Sequence, residues 1–114
     1  MTYTSAKARC ESDGAFLAVP RSDAENDFIA GLFPGLSIWI GINDINQEGV
    51  YVAVDGRSIS YTKWYSGEPN NAGDEDGVHI NAGWNGYWND HDVSTLLNFV
   101  CIYSFWDRSN IYCL

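Results

Sequence analysis

Basic side chains are scarce in this sequence. It has six Lys and Arg residues against fifteen Asp and Glu, which gives a formal net charge of −9, and residues 64–107 contain no Lys or Arg. A chain with this balance is repelled by a phosphate backbone and by an anionic membrane surface. We therefore exclude nucleic acid as a partner and expect bound cations to relieve the repulsion among the acidic groups.

Long apolar runs and targeting signals are missing too. No run approaches the ~20 residues that span a bilayer, and no basic, apolar, small-residue pattern opens the chain. We expect no membrane insertion and a mature or excised domain. With 114 residues, the chain is predicted to form one domain over 1–114. Within it, residues 104–114 are a tail that either pairs as an extra strand or mediates a homo-oligomer.

The three cysteines match no common metal or redox motif. Cys10, Cys101 and Cys113 are not spaced as CxxC and do not accompany His pairs, which excludes zinc and thioredoxin-like chemistry. A bridge between Cys10 and Cys101 would close nearly the whole chain and contribute on the order of 4 kcal/mol. Such a bridge indicates a secreted or extracellular protein. Cys113 is then either free or part of an intermolecular bridge.

The N-terminal third is helical in pattern. Residues 4–13 predict a helix, with Thr4 or Ser5 as its cap and Cys10 on its inward face. A capping box at 22–25, followed by apolar residues at helical spacing, predicts a second helix.

The remainder is extended in pattern. Apolar segments predict five strands, at residues 15–19, 37–42, 50–54, 77–81 and 97–103. Helices that precede most of the strands are typical of an α+β fold, in which they flank an antiparallel sheet. The long polar loop before Gly77 is of the kind that is functional or disordered.

The stretch from Glu68 to Asp90 is unusually rich in carboxylates and amides. It carries Glu68, Asp74, Glu75, Asp76 and Asp90 together with Asn70, Asn71, Asn81, Asn85 and Asn89. Carboxylate and amide oxygens are the ligands of which Ca²⁺ takes six to eight. The sequence therefore predicts a calcium site in this stretch.

Five short motifs occur along the chain in a recognisable order. They are WIG at 39–41, EPN at 68–70, ED at 75–76, WND at 88–90 and FVC at 99–101. In this order and spacing the chain resembles C-type lectin domains over roughly residues 3–103. The resemblance implies the C-type lectin fold, with two helices flanking antiparallel sheets and a long calcium-binding loop.

The resemblance also implies a principal calcium that binds sugar directly. Its ligands would be Glu68, Asn70, Glu75, Asn89 and Asp90, which leave coordination positions open for two vicinal sugar hydroxyls. In this family the EPN order accompanies mannose, N-acetylglucosamine, glucose and fucose, whereas the galactose-linked QPD order is absent here. Pro69 would be cis by the same resemblance, although a trans turn proline is the commoner state.

A second, auxiliary calcium is implied as well. Its ligands would be Asp44, Glu48, Asn71, Glu75 and Asp76. Asp44 and Glu48 read equally well as a solvated loop face. Most family members also join two cysteines that correspond here to Gly77 and Val93. Their absence predicts that the order of the loop depends on calcium alone.

Two other kinds of function compete with sugar binding as explanations of this acidic loop. A glycosidase needs two carboxylates ~5 to 10 Å apart with an apolar surrounding for one of them, and this loop offers no such surrounding, so we predict no enzymatic activity. A C-type-lectin-like domain that binds protein, lipid or ice is the main alternative. Trp39 and Trp88 are expected to be core residues, whereas Tyr87 and Trp84 either stack on a sugar face or pack the loop, and core packing is favoured for each of them.

Overall fold

The computed structural model describes residues 1–68, 76–81, 83, 85–103 and 111–113. These residues contain the helices α1 (Tyr3–Ser12) and α2 (Asp23–Leu32). They also contain the strands β1 (Phe16–Leu17), β2 (Ile38–Asn43), β3 (Val52–Ala53), β4 (Gly77–Ile80), β5 (Trp88–His91), β6 (Asn98–Ile102) and β7 (Ile111–Cys113). The α+β class predicted from the sequence is confirmed.

The described strands form one connected sheet, in the order β1-β6-β2-β4-β5, with β3 added to β2 and β7 added to β6. All pairings are antiparallel except that of β2 with β6, in which Ile38 lies opposite Asn98 and Trp39 opposite Phe99. The sheet is therefore mixed, where the sequence predicted an antiparallel one. Local strand patterns carry no information about the direction of a partner that is distant in the chain.

Helix α1 begins one residue earlier than predicted, and its cap is Thr2. The Thr2 side chain accepts a hydrogen bond from the Ser5 N–H, so the assignment of the cap to Thr4 or Ser5 was wrong. The backbone of Met1 pairs with that of Leu97, and this pairing holds the first two residues extended, so the helix starts directly after them.

Helix α2 begins as the capping box predicts. Ser22 accepts a hydrogen bond from the Glu25 N–H at 3.2 Å, while the Glu25 side chain accepts from the N–H of Arg21 rather than of Ser22. Its buried positions are Asn26 and Ile29. The Asn26 amide accepts from the indole N–H of Trp88 at 2.7 Å and donates to the Gly86 carbonyl, so α2 is fastened to the start of β5.

The core consists of two packed clusters. Among the described residues, the larger one contains Trp88, the isoleucines of β2 and the apolar side chains of β4, and the smaller one contains Tyr3, Trp39 and the Cys10–Cys101 disulfide. The predicted bridge is therefore present, and Trp39 and Trp88 are fully buried as expected. Tyr87 was assigned to the core wrongly, since it is exposed beside Tyr65.

The C-terminal tail adds a strand to the sheet. Strand β7 pairs antiparallel with β6, with Cys113 opposite Val100, so the tail pairs as an extra strand over Ile111–Cys113.

In the part of the chain that the structure describes, no helix has both the length and the apolar character needed to cross a bilayer.

Candidate functional site

An acidic cluster lies where β2 ends and β4 begins. Carboxylate oxygens of Asp44, Glu48 and Asp76 all lie within 4.8 Å of one another. Asp44 directly follows β2 and Asp76 directly precedes β4, and the Asp44 N–H donates to the Asp76 carbonyl at 3.1 Å. The sheet itself thus brings together three of the five residues predicted for the auxiliary calcium.

The cluster fits a hard cation. Asp44 is only 1% exposed, and its Oδ2 accepts from the Gly49 N–H at 2.8 Å. Its Oδ1 and the Oδ1 of Asp76 are buried and have no hydrogen-bond partner among the described residues. Buried carboxylate oxygens without a donor are costly, whereas Ca²⁺ prefers such oxygens as ligands. The alternative reading of Asp44 as a solvated loop residue is wrong.

The charges of the cluster act on one another. Partial burial and the negative charges of Glu48 and Asp44 raise the pKa of Asp76 to about 6. His79 lies on β4, the strand that follows Asp76. Burial and the nearby His91 lower the pKa of His79 to about 4, so its imidazole is neutral over the pH range in which Asp76 loses its proton.

For a calcium ion held by this cluster, the raised pKa of Asp76 predicts an effect on stability that depends on pH. The pKa of folded Asp76 is raised to about 6, so its contribution to stability is complete below about pH 4, the ordinary range of an Asp pKa, and is lost as the pH rises through about 6. Calcium needs the deprotonated carboxylate. We expect the difference in melting temperature between calcium and chelator to be large at about pH 7.5 and to shrink at about pH 5.

Scanning calorimetry at both pH values measures that difference. The variant Asp76→Asn serves as the control, because the difference should then be small at both. A difference as wide at the lower pH as at the higher one contradicts the prediction.

The residues predicted for the principal calcium are only partly described. Asn89 and Asp90 lie on β5, Asp90 is 0% exposed, and its Oδ2 accepts from the Tyr51 hydroxyl at 3.2 Å. The Oδ1 of Asn89 is buried and has no hydrogen-bond partner among the described residues. Glu68 is half-buried, and its N–H donates to the Tyr65 carbonyl at 2.8 Å.

Other predicted site residues lie outside the described ranges. These are Asn70, Asn71, Glu75 and the proline assigned a cis bond, Pro69. The assignment of these residues to the two calcium ions therefore stays a prediction.

Tyr51 is a site residue that the sequence did not reveal. It was assigned to the strand predicted at 50–54, but β3 begins only at Val52. Burial and the negative charges of Asp90, Asp44 and Glu48 hold the pKa of the Tyr51 phenol above its ordinary range, so it remains a hydrogen-bond donor. The pKa of Tyr51 thus responds to predicted ligands of both calcium ions, Asp90 of the principal ion and Asp44 and Glu48 of the auxiliary one. Nothing in the local sequence pattern indicates this.

A family model described as "Lectin C-type domain" matches residues 1–103. Among curated proteins, the chain is 36% identical over 102 residues to lectin BRA-3 of Megabalanus rosa, which covers 87% of this chain and 63% of that protein. It is 38% identical over 104 residues to collectin-11 of Bos taurus, covering 87% of this chain and 38% of that protein. The chain thus spans less than two thirds of the length of these relatives.

Solved structures share the same fold. The carbohydrate-recognition domain of cow CD23, determined in the presence of a GlcNAc2Man3 oligosaccharide, matches with a TM-score of 0.80 and 31% identity, over 89% of this chain and 78% of that one. A calcium-independent type II antifreeze protein matches with a TM-score of 0.82 and 25% identity, over 89% and 77% of the two chains. The fold by itself therefore does not establish a calcium site.

Proposed function

The chain belongs to the C-type lectin domain family, a family of non-catalytic carbohydrate-binding domains, and from this premise we propose that it binds mannose-type sugars through Ca²⁺. C-type lectin domains generally bind Ca²⁺. The non-catalytic character of the family agrees with the prediction from the sequence that the chain has no enzymatic activity. The choice of mannose, N-acetylglucosamine, glucose or fucose over galactose rests on the EPN order at residues 68–70.

The acidic cluster carries the calcium part of this proposal. Three carboxylates lie within 4.8 Å of one another, and Asp44 is almost completely buried with an Oδ1 that has no hydrogen-bond partner among the described residues. Without a counter-charge this arrangement is unfavourable. A domain that bound ice or protein through its fold alone would have no need to keep these carboxylates together.

In the proposed mechanism, the residues of the principal site bind the sugar and the ion as one unit. A calcium ion held there would supply coordination positions for two vicinal hydroxyl groups. Glu68 or Glu75 would accept a hydrogen bond from each hydroxyl, and the side-chain amide of Asn70 or Asn89 would donate one to it. Asp90 adds negative charge from within the sheet, where the Tyr51 hydroxyl orients its carboxylate.

We propose further that residues 1–114 act as one secreted or extracellular recognition domain. The Cys10–Cys101 bridge suits an oxidising compartment. A site that engages a few hydroxyls binds a monosaccharide weakly, so several copies would be needed for useful avidity. Cys113 and the tail, which pairs at Ile111–Cys113 with β6, are the features through which a homo-oligomer could form.

A glycan array, probed with calcium and again with chelator, tests the proposed function. We expect binding to mannose, N-acetylglucosamine and fucose termini in calcium, with loss of all signal in chelator and little binding to galactose termini. The Asp92→Asn variant, altered at an exposed acidic residue of the next turn, should bind like the parent. Signal that persists in chelator, or hydrolysis of a chromogenic glycoside, would contradict the proposal.

Ice binding is the second candidate function, because the fold matches that of a calcium-independent antifreeze protein with a TM-score of 0.82. Inhibition of ice recrystallisation in chelator, combined with a blank glycan array, would favour this alternative.

A further inference from the structure

Tyr3 connects the two chain segments that carry the acidic cluster. It lies in the first turn of α1, far from Asp44 and Asp76 in sequence, and is 0% exposed. Its hydroxyl donates to the Ile42 carbonyl at 3.1 Å and accepts from the side-chain amide of Asn43 at 3.2 Å. Both partners lie at the end of β2, immediately before Asp44.

Asn43 passes this contact on to the turn that holds Asp44. It is buried, and its Oδ1 accepts from the Ile45 N–H at 3.1 Å. The Asn43 side chain thus links the Tyr3 hydroxyl to the backbone of Ile45, the residue that follows Asp44. These hydrogen bonds fix the backbone on both sides of Asp44, and the carboxylate is attached to that backbone.

The ring of Tyr3 contacts the other ligand-bearing segment. A Cβ added at Gly77 would lie 2.9 Å from Cδ2 of Tyr3 and 3.0 Å from Cζ3 of Trp39. The absence of a side chain at position 77 therefore lets the Tyr3 ring lie directly against the backbone that follows Asp76. Tyr3 also donates its N–H to the Val93 carbonyl at 2.9 Å.

Gly77 and Val93 both contact the same residue, Gly77 through the ring of Tyr3 and Val93 through its backbone. A buried tyrosine thus ties the two positions together without a covalent bond. The loop before Gly77 lies largely outside the described residues, so its dependence on calcium stays a prediction.

We propose that Tyr3 is a positioning residue for calcium, which holds Asp44 and Asp76 at the separation that the ion requires. This role rests on the proposed calcium site. The carboxylates repel one another when no ion is bound, and the pairing of β2 with β4, with the Asp44 N–H donating to the Asp76 carbonyl at 3.1 Å, opposes that repulsion through the backbone. Tyr3 holds the segment before Asp44 by hydrogen bonds and the segment after Asp76 by packing against Gly77. The affinity for calcium is then higher because the site is preorganised before the ion binds.

The variant Tyr3→Phe tests this role, because it keeps the ring against Gly77 and removes only the hydroxyl. We expect the dissociation constant for calcium, measured by isothermal titration calorimetry, to rise about tenfold, as is typical when a group that orients a ligand is lost. The gap in melting temperature between calcium and chelator should narrow. A purely structural role would lower both melting temperatures equally and leave the dissociation constant unchanged.

Tyr61→Phe is the matched control. It removes a tyrosine hydroxyl that donates to Asp23 at 2.6 Å, a hydrogen bond that involves no residue of the acidic cluster. This variant should bind calcium like the parent. If Tyr3→Phe weakens calcium binding no more than Tyr61→Phe does, the positioning role is overturned.

Asp76→Asn separates this inference from the proposed function. If Asp76→Asn leaves calcium binding unchanged, the acidic cluster is no calcium site and the role of Tyr3 fails with it, while the sugar site is tested separately by the glycan array. If Asp76→Asn weakens binding while Tyr3→Phe does not, only the role of Tyr3 fails. Support for both requires that each variant weakens binding and that adding Tyr3→Phe to Asp76→Asn has little further effect, as for residues acting on one site.

Discussion

Replacing Asp90 with asparagine is expected to lower calcium-dependent affinity for a mannose-type sugar by at least about a hundredfold, because the affinity of an oxygen-ligand site follows the charge of its ligands. The structure shows why this substitution changes little besides the charge. Asp90 is fully buried on β5 and accepts a hydrogen bond from the Tyr51 hydroxyl, and a carboxamide oxygen can accept the same bond. The change therefore removes charge and leaves the shape intact.

Stability should respond in the opposite sense. Since Asp90→Asn removes a buried charge, the melting temperature in chelator should stay the same or rise, while the increase produced by calcium should largely disappear. Binding to a mannose-bearing glycoprotein, measured by surface plasmon resonance, gives the loss of affinity, and calorimetry gives the two melting temperatures.

Asp92→Asn is the matched control for Asp90→Asn. Asp92 is exposed, and its Oδ1 accepts from the N–H and the hydroxyl of Ser94 at 2.8 and 2.7 Å. Those hydrogen bonds hold the pKa of Asp92 below its ordinary value, and an amide oxygen can also accept them. Sugar binding by Asp92→Asn should therefore match the parent. Sugar affinity in Asp90→Asn within about threefold of the control would be incompatible with Asp90 as a calcium ligand.

Removing the disulfide is expected to have the largest effect on stability. Cys10 and Cys101 are 91 residues apart in sequence and lie in the core cluster that also contains Tyr3 and Trp39. For a loop of that length, the double change Cys10→Ala with Cys101→Ala should lower the free energy of unfolding by about 4 kcal/mol. A domain of this size is stable by only about 5 to 15 kcal/mol, so the loss takes up much of its margin.

Urea denaturation of the double variant measures this effect. The single change Cys113→Ser is the comparison, since it replaces the third cysteine and leaves the Cys10–Cys101 bridge in place. We expect Cys113→Ser to unfold at nearly the same urea concentration as the parent. Equal free energies of unfolding for the double variant and Cys113→Ser would show that the bridge does not stabilise this fold.

Much of the fold follows from local sequence. Helix α2 is specified by its capping box, because Ser22 and Glu25 act within one turn, and β2 is specified by a continuous apolar run. Strand β5 was not predicted. Its sequence, Trp88 to His91, contains an aspartate that strands usually avoid, and the buried carboxylate accepts a tertiary hydrogen bond from Tyr51.

The proximity of three acidic residues agrees with their assignment to one site, while their role as calcium ligands stays a prediction. Asp44, Glu48 and Asp76 were assigned together by resemblance, and they lie together in the structure. Tyr3 and Tyr51 were missed, because both read as ordinary apolar residues of a helix and a strand. Their polar contacts lie 39 or more positions away, so no local pattern points to them.

The sequence by itself determined the class of fold, the excess of acidic oxygens, the choice of Cys10 and Cys101 for a bridge and the family. These depend on composition, on short-range periodicity and on motifs in register. The tertiary structure alone decided that β2 runs parallel to β6 and that Asp44 and Asp76 are adjacent through the pairing of β2 with β4. It also decided that the Tyr3 ring takes the space that Gly77 leaves open. Such contacts join residues that are distant along the chain, and they form only when the sheet and α1 pack together.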